Sequence, residues 1–255
     1  MTKIPLTIIL LTNRVDERFE QALASAQCAA DVLVVANHVE DAVQPLHTQY
    51  DFQILTWDEP ITDFSLVRNT ALTHAKYDWV LFLDSDEVID PASLAELTQL
   101  VTTPTAAAYG IRRCDVFLGK ELEYGEAGNQ LVVRLGKRTA LKFSGTVHEV
   151  ADVAGLVKPS SIKILHYSHP SIHEFISKVA LYADQVATER AAKPISFKRL
   201  LFELIVYPPA KFIYGLIFQG GLVDGWHGVV YAACMSLHST LVRIYLYEKV
   251  FIKHS

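Results

Sequence analysis

The sequence lacks the residues that build most scaffolds other than a packed core. Its three cysteines, Cys28, Cys114 and Cys234, are far apart and form no Cys-x-x-Cys pair, which argues against a disulfide framework and against a zinc ribbon. Twelve glycines and ten prolines in 255 residues are too few for a collagen-like repeat or a low-complexity linker. The apolar run at residues 6–11 is too short for a secretory signal peptide. We therefore expect a folded chain in a reducing, cytoplasmic setting.

Positive charge is also in deficit, with 23 Lys and Arg residues against 28 Asp and Glu residues and a net charge of −5. This balance argues against nucleic acid as a partner. Residues 194–255 reverse it, because they hold six basic and three acidic residues and leave −8 for residues 1–193. The same segment holds 11 of the 26 aromatic residues. A basic, aromatic and apolar segment is typical of proteins that rest on an anionic membrane surface.

The hydrophobic pattern predicts an α/β fold for residues 1–193. Four short apolar runs, at 6–11, 31–36, 52–56 and 79–83, are typical of parallel strands that helices cover on both faces. A helical period follows at 64–75, and Asp90-Pro91 is a start signal for a helix over 92–101. After residue 105, short strand-like runs predict a mixed extension of the sheet, and 172–186 predicts an amphipathic helix.

Residues 194–255 are predicted to form a second region of apolar helices. Segments 199–206 and 210–218 are separated by Pro208-Pro209, which is expected to break or kink the helix, and 229–247 is a third apolar segment. A membrane span needs about 20 mostly apolar residues. Neither the two segments on either side of the prolines nor 229–247 meets that requirement cleanly. We favour helices that lie in the membrane interface. The alternatives are a tertiary core, an oligomer interface, a true span, and a single re-entrant element over Leu200–Phe218. Removal of residues 194–255 is expected to release a less hydrophobic, acidic body from membranes.

Two carboxylates, Asp84 and Asp86, directly follow the fourth predicted strand. Ligands of open α/β sheets bind beyond the carboxyl ends of the strands. Side chains at i and i+2 of an extended chain point the same way, so both carboxylates can converge on one divalent cation, whose other positions water and substrate phosphates would take. A turn or a helix cap is the alternative interpretation of an Asp-x-Asp pair.

Five separated segments carry a resemblance to a known family: Arg68-Asn69-Thr70-Ala71-Leu72, the ten residues from Asp78 to Glu87, Arg134-Leu135, Gly145-Thr146-Val147-His148-Glu149, and the nine residues from Gly220 to Gly228. They resemble the signature of family 2 glycosyltransferases, and most closely that of bacterial lipopolysaccharide-core and lipooligosaccharide glucosyltransferases. The resemblance implies a GT-A fold that transfers a sugar, with inversion, from a nucleotide-diphosphate sugar to a lipid-linked or cell-surface glycan acceptor. It also implies Mg²⁺ or Mn²⁺ as cofactor. Together with the basic, aromatic segment 194–255, the acidic pair favours a peripheral position on the inner face of the bacterial cell membrane.

The resemblance assigns the metal and phosphate contacts of the site. Asp84 would contact the nucleotide or the metal, Asp86 would ligate the metal, and His148 would add a metal or phosphate contact. Arg68 and Arg134 are candidates to bind phosphate oxygens through paired N–H donors, with an exposed surface position as the alternative for each.

Inversion also requires a base that deprotonates the acceptor hydroxyl. Glu149 is our candidate, since His148-Glu149 matches the Val-His-Glu of the subgroup, and a solvated Glu at a strand end is the alternative. Side chains of successive strand residues point to opposite faces, so His148 and Glu149 serve one site only if the strand bends there. The fallback bases are Asp115, Glu123 and Glu126.

Two segments depart from the family pattern and bear on the donor. After the second strand, the family's Asp-Ser-Gly-Ser-Thr-Asp is replaced by Ala36-Asn37-His38-Val39-Glu40-Asp41, which keeps only the last acid; after the first strand, Thr12-Asn13-Arg14 lacks one residue of the family's Thr-x-Asn-Glu. We retain Thr12, Asn13 and Asp41 as donor-binding candidates. The changes leave the donor's base open and motivate a second hypothesis, a non-catalytic GT-A partner subunit. A haloacid-dehalogenase-type phosphotransferase is disfavoured, because its Asp-x-Asp usually follows the first strand.

Overall fold

The computed structural model describes residues 3–128, 130–145, 150–169 and 171–252. The chain divides into two compact units, each built from two stretches of sequence. The first unit comprises Met1–Arg113 and Leu131–Tyr167, and the second comprises Cys114–Gln130 and Ser168–Ser255. The predicted boundary at residue 193 falls inside the second unit.

The first unit is built on four parallel strands in the order β3-β2-β1-β4. These strands are β1 (Ile4–Thr12), β2 (Ala29–Asn37), β3 (Gln53–Trp57) and β4 (Trp79–Asp84). The side chains of β1 alternate between two apolar clusters, with Ile8 and Leu10 in one and Ile9 and Leu11 in the other. Burial on both faces explains the uninterrupted apolar runs in the sequence, and the four predicted strands are confirmed.

Helices on both faces of these strands begin at side-chain caps. Asp16 caps α1 (Glu17–Ala26) and Asp63 caps α3 (Phe64–His74), each by accepting two backbone N–H groups of the first turn. Asp90 caps a 3₁₀ turn (Pro91–Ser93) that leads into α4 (Leu94–Thr102), close to the predicted start. A short α2 (Glu40–Val43) follows β2.

A mixed extension completes the sheet, whose full order is β3-β2-β1-β4-β8-β6-β11-β5, with β7 paired to β6. β8 is antiparallel to β4, and β5 is antiparallel to β11. β9 and β10 form a separate antiparallel pair. The predicted α/β class with a mixed extension is therefore confirmed. The strands are β5 (Glu87–Ile89), β6 (Ala108–Phe117), β7 (Lys120–Glu121), β8 (Gln130–Lys137), β9 (Leu141–Ser144), β10 (Val150–Val153) and β11 (Val157–His169).

Helices dominate the second unit, where α6 and α7 both pack on α8. Its core contains an aromatic cluster in which Phe117, Phe175 and Tyr231 contact one another with ring centroids 5.3–5.6 Å apart. The helices are α5 (Gly125–Gly128), α6 (Ile172–Ala191), α7 (Phe197–Ile213), a π-helical turn (Tyr214–Phe218), a 3₁₀ turn (Gly221–Asp224) and α8 (Trp226–Phe251).

Helix α7 continues through Pro208 and Pro209, so the predicted break is wrong. A proline inside a helix removes a backbone hydrogen bond and crowds the preceding turn. Here Pro208 is buried, and its carbonyl accepts a hydrogen bond from the Ser236 hydroxyl of α8 at 2.8 Å. Tertiary packing on α8 therefore stabilises a helix that local propensity disfavours.

Two helices of the second unit are long and apolar enough to cross a membrane by length and composition alone. Phe197–Phe218, which joins α7 to the π-helical turn, is 22 residues long and Trp226–Phe251 is 26 residues long. This differs from the expectation that neither segment reaches a span. Only 22% of the apolar 18-residue window of the first helix is buried within the protein, against 39% of that of the second.

Candidate donor-binding site

The candidate site lies at the carboxyl ends of β1 and β4, where Asp84 is the last residue of β4 and pairs in register with Leu11. Both carboxylate oxygens of Asp84 accept hydrogen bonds from arginines. Arg68 of α3 donates to Oδ1 at 2.9 Å, and Arg134 of β8 donates to Oδ2 at 2.8 Å. The structure thus brings together three residues that the sequence singled out separately.

Arg68 is buried, with 2% of its surface exposed, so its alternative interpretation as a surface residue is wrong. Its guanidinium lies over the rings of Phe82 and Phe143, 5.2 and 5.6 Å from their centroids. Stacking and ion pairing both offset the cost of burying this charge. In this position Arg68 binds Asp84, which differs from its predicted contact with donor phosphate.

The sequence interpretation missed a second, more deeply buried group beneath Asp84. The Glu87 carboxylate is fully buried and accepts the backbone N–H of Asp84 at 3.0 Å and the Nε–H of Arg113 at 2.5 Å. Arg113 in turn donates from Nη2 to Nε2 of His166 on β11 at 2.7 Å, since a guanidinium has no acceptor. The antiparallel pairing of β5 with β11 sets Glu87 opposite His166.

Asp86, the second carboxylate of the Asp-x-Asp pair, is surrounded more loosely than Asp84. Its Oδ1 lies 3.6 Å from His166 Nε2, and its Oδ2 lies 3.9 Å from Nη2 of Arg14 in the loop after β1. The Asp86 backbone carbonyl accepts the N–H of Tyr167 at 2.8 Å. The backbone is therefore fixed while the carboxylate oxygens remain available to a further ligand.

The arginines also determine the protonation of Asp84. Burial alone would raise the pKa of this carboxyl, but the positive charges of Arg134, Arg68 and Arg113 outweigh burial and hold the pKa well below its usual range. Asp84 is therefore a carboxylate at any physiological pH. Its charge serves to position two guanidinium groups at the end of β4.

The site as a whole is rich in guanidinium groups. Among the described residues, four guanidinium groups lie among four carboxylates. The cations are Arg14, Arg68, Arg113 and Arg134, and the anions are Asp16, Asp84, Asp86 and Glu87. Arg14 is the most exposed of the four, and 44% of its side chain is open to solvent. Guanidinium groups of this kind match the geometry of phosphate oxygens.

The carboxylates fit a divalent cation unequally. Mg²⁺ takes oxygen ligands and usually keeps several waters, so one or two carboxylates suffice to hold it. Asp86 fits this requirement, because no cationic group approaches its oxygens closer than 3.6 Å in the described structure. Asp84 is less available, since each of its oxygens already accepts a hydrogen bond from an arginine, and its contact with the nucleotide or the metal stays a prediction. The part of the chain that the structure describes contains no cluster of three or more His, Cys, Asp or Glu residues suited to a metal.

Comparison with known proteins decides which family this site belongs to. The sequence model described as Glycosyl transferase family 2 matches residues 9–160, which is more than half of the chain and includes Asp84, Asp86 and Glu87. The chain belongs to glycosyl transferase family 2.

Three known proteins to which this family 2 member is similar are distant from it in sequence. A TPR repeat-containing protein of Synechococcus elongatus is 29% identical over 138 residues, which are 53% of this chain and 32% of that protein. The chain thus spans about a third of the length of that curated relative. Among solved structures, S. aureus TarS in complex with UDP-GlcNAc is 11% identical with a TM-score of 0.46, covering 97% of this chain and 91% of that one. HddC from Yersinia pseudotuberculosis is 10% identical with a TM-score of 0.44, covering 68% and 97%.

The remaining donor candidates of this family 2 member lie at the ends of β1 and β2. Thr12 is buried, and its hydroxyl bonds to the backbone of Arg14, so it shapes the loop that carries this arginine. Asn13 is exposed in the same loop. Asp41 is exposed on α2, which follows β2. Their donor contacts stay predictions.

The candidate bases stay predictions. His148 and Glu149 lie outside the described residues. The fallback bases belong to the second unit, where Asp115 accepts the Tyr231 hydroxyl at 3.3 Å and Glu126 pairs with Lys211 at 3.2 Å. The backbone N–H of Glu123 donates to Asp224.

One sequence signal could have found part of the missed cluster. Glu87 directly follows the Asp-x-Asp pair, three residues after Asp84. A third acid next to this pair is a further candidate for a site residue. Arg113 and His166 carry no such local signal. They reach the site only through β6 and β11, far along the chain.

Proposed function

We propose that this glycosyltransferase takes its sugar from a nucleotide-diphosphate donor bound at the carboxyl ends of β1 and β4. The observation that carries the proposal is the cluster of four guanidinium groups around Asp84, Asp86 and Glu87 in a member of family 2. A diphosphate brings negative charge to this end of the sheet, where guanidinium N–H groups bind it in pairs.

Arg14, Arg113 and Arg134 are the proposed diphosphate contacts. Glu87 and Asp84 hold Arg113 and Arg134 in fixed orientations, so these donors are pre-organised for the negative charge that develops on the departing nucleotide. Arg14 is more exposed and lies 3.1 Å from Asp16, a bond that an incoming phosphate would compete for. Arg68 lies deeper and orients Asp84.

The proposed cofactor is Mg²⁺ or Mn²⁺, held by Asp86 with His148 as the second predicted ligand. When bound, the cation would act as a Lewis acid toward the diphosphate of the donor. Asp84 is left as a positioning residue rather than a ligand, because Arg68 and Arg134 occupy its oxygens.

We further propose that transfer proceeds with inversion, that the sugar is a hexose, and that the acceptor is a lipid-linked or cell-surface glycan as in lipopolysaccharide-core assembly. Inversion in one displacement requires one base on the acceptor side, and Glu149 remains the candidate. These finer statements rest on the motifs shared with the lipopolysaccharide-core subgroup.

Calorimetric titration with a panel of nucleotide sugars, with and without Mn²⁺, tests the donor site. The wild type should bind at least one of them saturably, and Mn²⁺ should strengthen the binding. Asp86→Asn should weaken the Mn²⁺-dependent binding by at least about tenfold, since it removes a charged ligand oxygen. Asp78→Asn is the matched control, because Asp78 precedes β4 instead of following it and its side chain is 89% exposed.

The outcomes separate the two functional hypotheses. Failure of the wild type to bind any nucleotide sugar, with or without metal, would favour the non-catalytic partner subunit. Saturable binding in which Asp86→Asn leaves the Mn²⁺ dependence unchanged would retain the donor site and overturn the metal assignment.

A further inference from the structure

Helix α7 and the π-helical turn after it expose a continuous apolar stripe. The stripe consists of every fourth residue from 201 to 217 and every fourth residue from 202 to 218, two adjacent ridges of the helix surface. All ten side chains of the two ridges are exposed. The first ridge is Leu201, Ile205, Pro209, Ile213 and Ile217, and the second is Phe202, Val206, Ala210, Tyr214 and Phe218. Along about 26 Å of helix, the stripe contains no charged residue.

The stripe continues past the helix end into the turn that leads to α8. Leu222, Val223 and Trp226 are all exposed there, and Trp226 is 74% exposed. Soluble monomers seldom leave apolar patches of more than a few hundred Å² open to water, and larger patches mark interaction surfaces. The stripe therefore needs a partner that accepts a long, apolar and aromatic surface.

The opposite face of α7 is fixed to the second unit by charged groups. Glu203 is buried and binds Arg190 of α6 at 2.6 Å and Arg199 at 3.2 Å, with Arg243 of α8 at 3.9 Å. One turn from the end of α7, Lys211 pairs with Glu126 of α5 at 3.2 Å. A helix that crossed the bilayer would carry this network into hydrocarbon, where charged groups are costly. The geometry favours a helix that lies flat, with one face on protein.

The composition around the stripe matches a bilayer surface. Tyr214 and Trp226 combine a ring with a polar edge, as residues at membrane interfaces do. Lys193 and Lys198 are exposed near the start of α7, and the segment 194–255 carries +3. Basic residues beside an apolar face strengthen binding to anionic lipids.

We propose that the apolar stripe of α7 inserts into the interfacial layer of an anionic bilayer, with the helix axis parallel to the membrane plane. The protein is then peripheral on the membrane, held by buried apolar area and by lysine contacts with lipid headgroups. The proposal goes beyond the donor site and does not depend on it. A second copy of the chain is the competing occupant of the same stripe.

Flotation of the full chain with lipid vesicles tests the proposal. One vesicle set contains phosphatidylglycerol and phosphatidylethanolamine, and the other contains phosphatidylcholine alone. The test variant is Phe202→Gln/Ile205→Gln/Ile217→Gln, at positions 60–65% exposed. The matched control is Leu131→Gln/Leu156→Gln/Leu181→Gln, at positions 57–58% exposed outside the stripe.

The wild type and the control should float with the anionic vesicles and bind the neutral ones more weakly. The test variant should bind at least about tenfold more weakly, because three interfacial apolar side chains are lost. Trp226 fluorescence should shift to the blue when anionic vesicles are added, and Trp226→Phe should remove that shift. Circular dichroism should show unchanged helix content, since the substituted side chains are exposed.

Two results would overturn the proposal. One is a test variant that floats as well as the wild type. The other is a wild type that ignores both vesicle sets and sediments as a dimer, while the test variant sediments as a monomer, which would assign the stripe to an interface between copies.

Discussion

At the end of β4, the Asp84 carboxylate accepts one hydrogen bond from Arg68 and another from Arg134. The two arginines come from α3 and β8, and 66 positions in the sequence separate one arginine from the other. Because the ion pairs favour the charged form, the folded chain binds the Asp84 proton more weakly than the unfolded chain does. This difference makes Asp84 a source of pH-dependent stability.

We predict that Asp84→Asn lowers the free energy of unfolding by about 2 kcal/mol at neutral pH, because two guanidinium groups lose their charged partner. The folded pKa is depressed, so the contribution is present above the unfolded pKa of about 3.9 and is lost as pH falls toward the folded pKa. The gap between variant and wild type should therefore narrow below about pH 4. Urea unfolding followed by circular dichroism across this range measures it.

Asp78→Asn is the control for this titration, since Asp78 is exposed and should change stability by less than about 0.5 kcal/mol at each pH. A gap for Asp84→Asn that stays constant from neutral to acidic pH would contradict the proposed linkage.

Glu87 is a buried charge that holds other residues of the site in place. Its carboxylate joins the backbone of Asp84 to the side chain of Arg113, and Arg113 joins His166. A buried carboxylate requires such partners, because an unpaired charge in the interior is strongly unfavourable. Glu87 is therefore a positioning residue for the proposed diphosphate contacts.

At the scale of elements, the segment from Gly220 to Gly228 is held in the second unit by hydrogen bonds and by close backbone packing. The Asp224 carboxylate accepts the backbone N–H groups of Glu123 and Tyr124, and its carbonyl accepts the Lys120 ammonium at 2.7 Å. The start of α8 lies so close to the 3₁₀ turn that a Cβ on Gly228 would lie 1.8 Å from the Gly221 carbonyl oxygen. This segment, which the sequence analysis singled out, thus has a packing role.

We predict that Gly228→Ala destabilises the protein by at least about 2 kcal/mol, since backbone must move to admit the methyl group. Gly215→Ala is the matched control: its Cβ would meet its nearest neighbour at 3.7 Å, an ordinary contact. Its effect should stay within about 1 kcal/mol. Thermal unfolding of both variants measures the difference, and equal melting temperatures would refute the close approach.

The helices were predicted correctly from the sequence where the two residues of a stabilising interaction lie within one segment. The cap at Asp90 and the apolar period of α3 are local, and the structure confirms them. The break at Pro208-Pro209 was wrong because α8, more than twenty residues away, stabilises α7.

At the scale of the whole molecule, the division into units changes the expected effect of truncation. Residues 194–255 contain α7 and α8, which cover α6 within the same unit. Helix α6 buries Phe175, Val179, Ala183 and Ala187. Cutting at residue 193 would therefore expose this apolar face rather than release a finished domain.

We predict that the chain truncated after residue 193 aggregates or binds the dye ANS strongly, because α6 loses its cover. Size-exclusion chromatography and ANS fluorescence measure this outcome. A monodisperse truncated chain with native near-UV circular dichroism would show that residues 1–193 fold alone, as the composition boundary suggested. The glutamine variants of the stripe avoid this problem, since they keep the second unit whole.

The parallel strands, the acidic pair after β4 and the family signature could all be derived from the order of residues. Apolar runs that are buried on both faces, and motifs of consecutive residues, depend on short stretches of chain. The partners of Asp84, the burial of Glu87 with Arg113 and His166, and the uninterrupted α7 required the folded molecule. These features depend on strand pairing and helix packing between distant segments, which bring together charges whose spacing in the sequence carries no periodic signal.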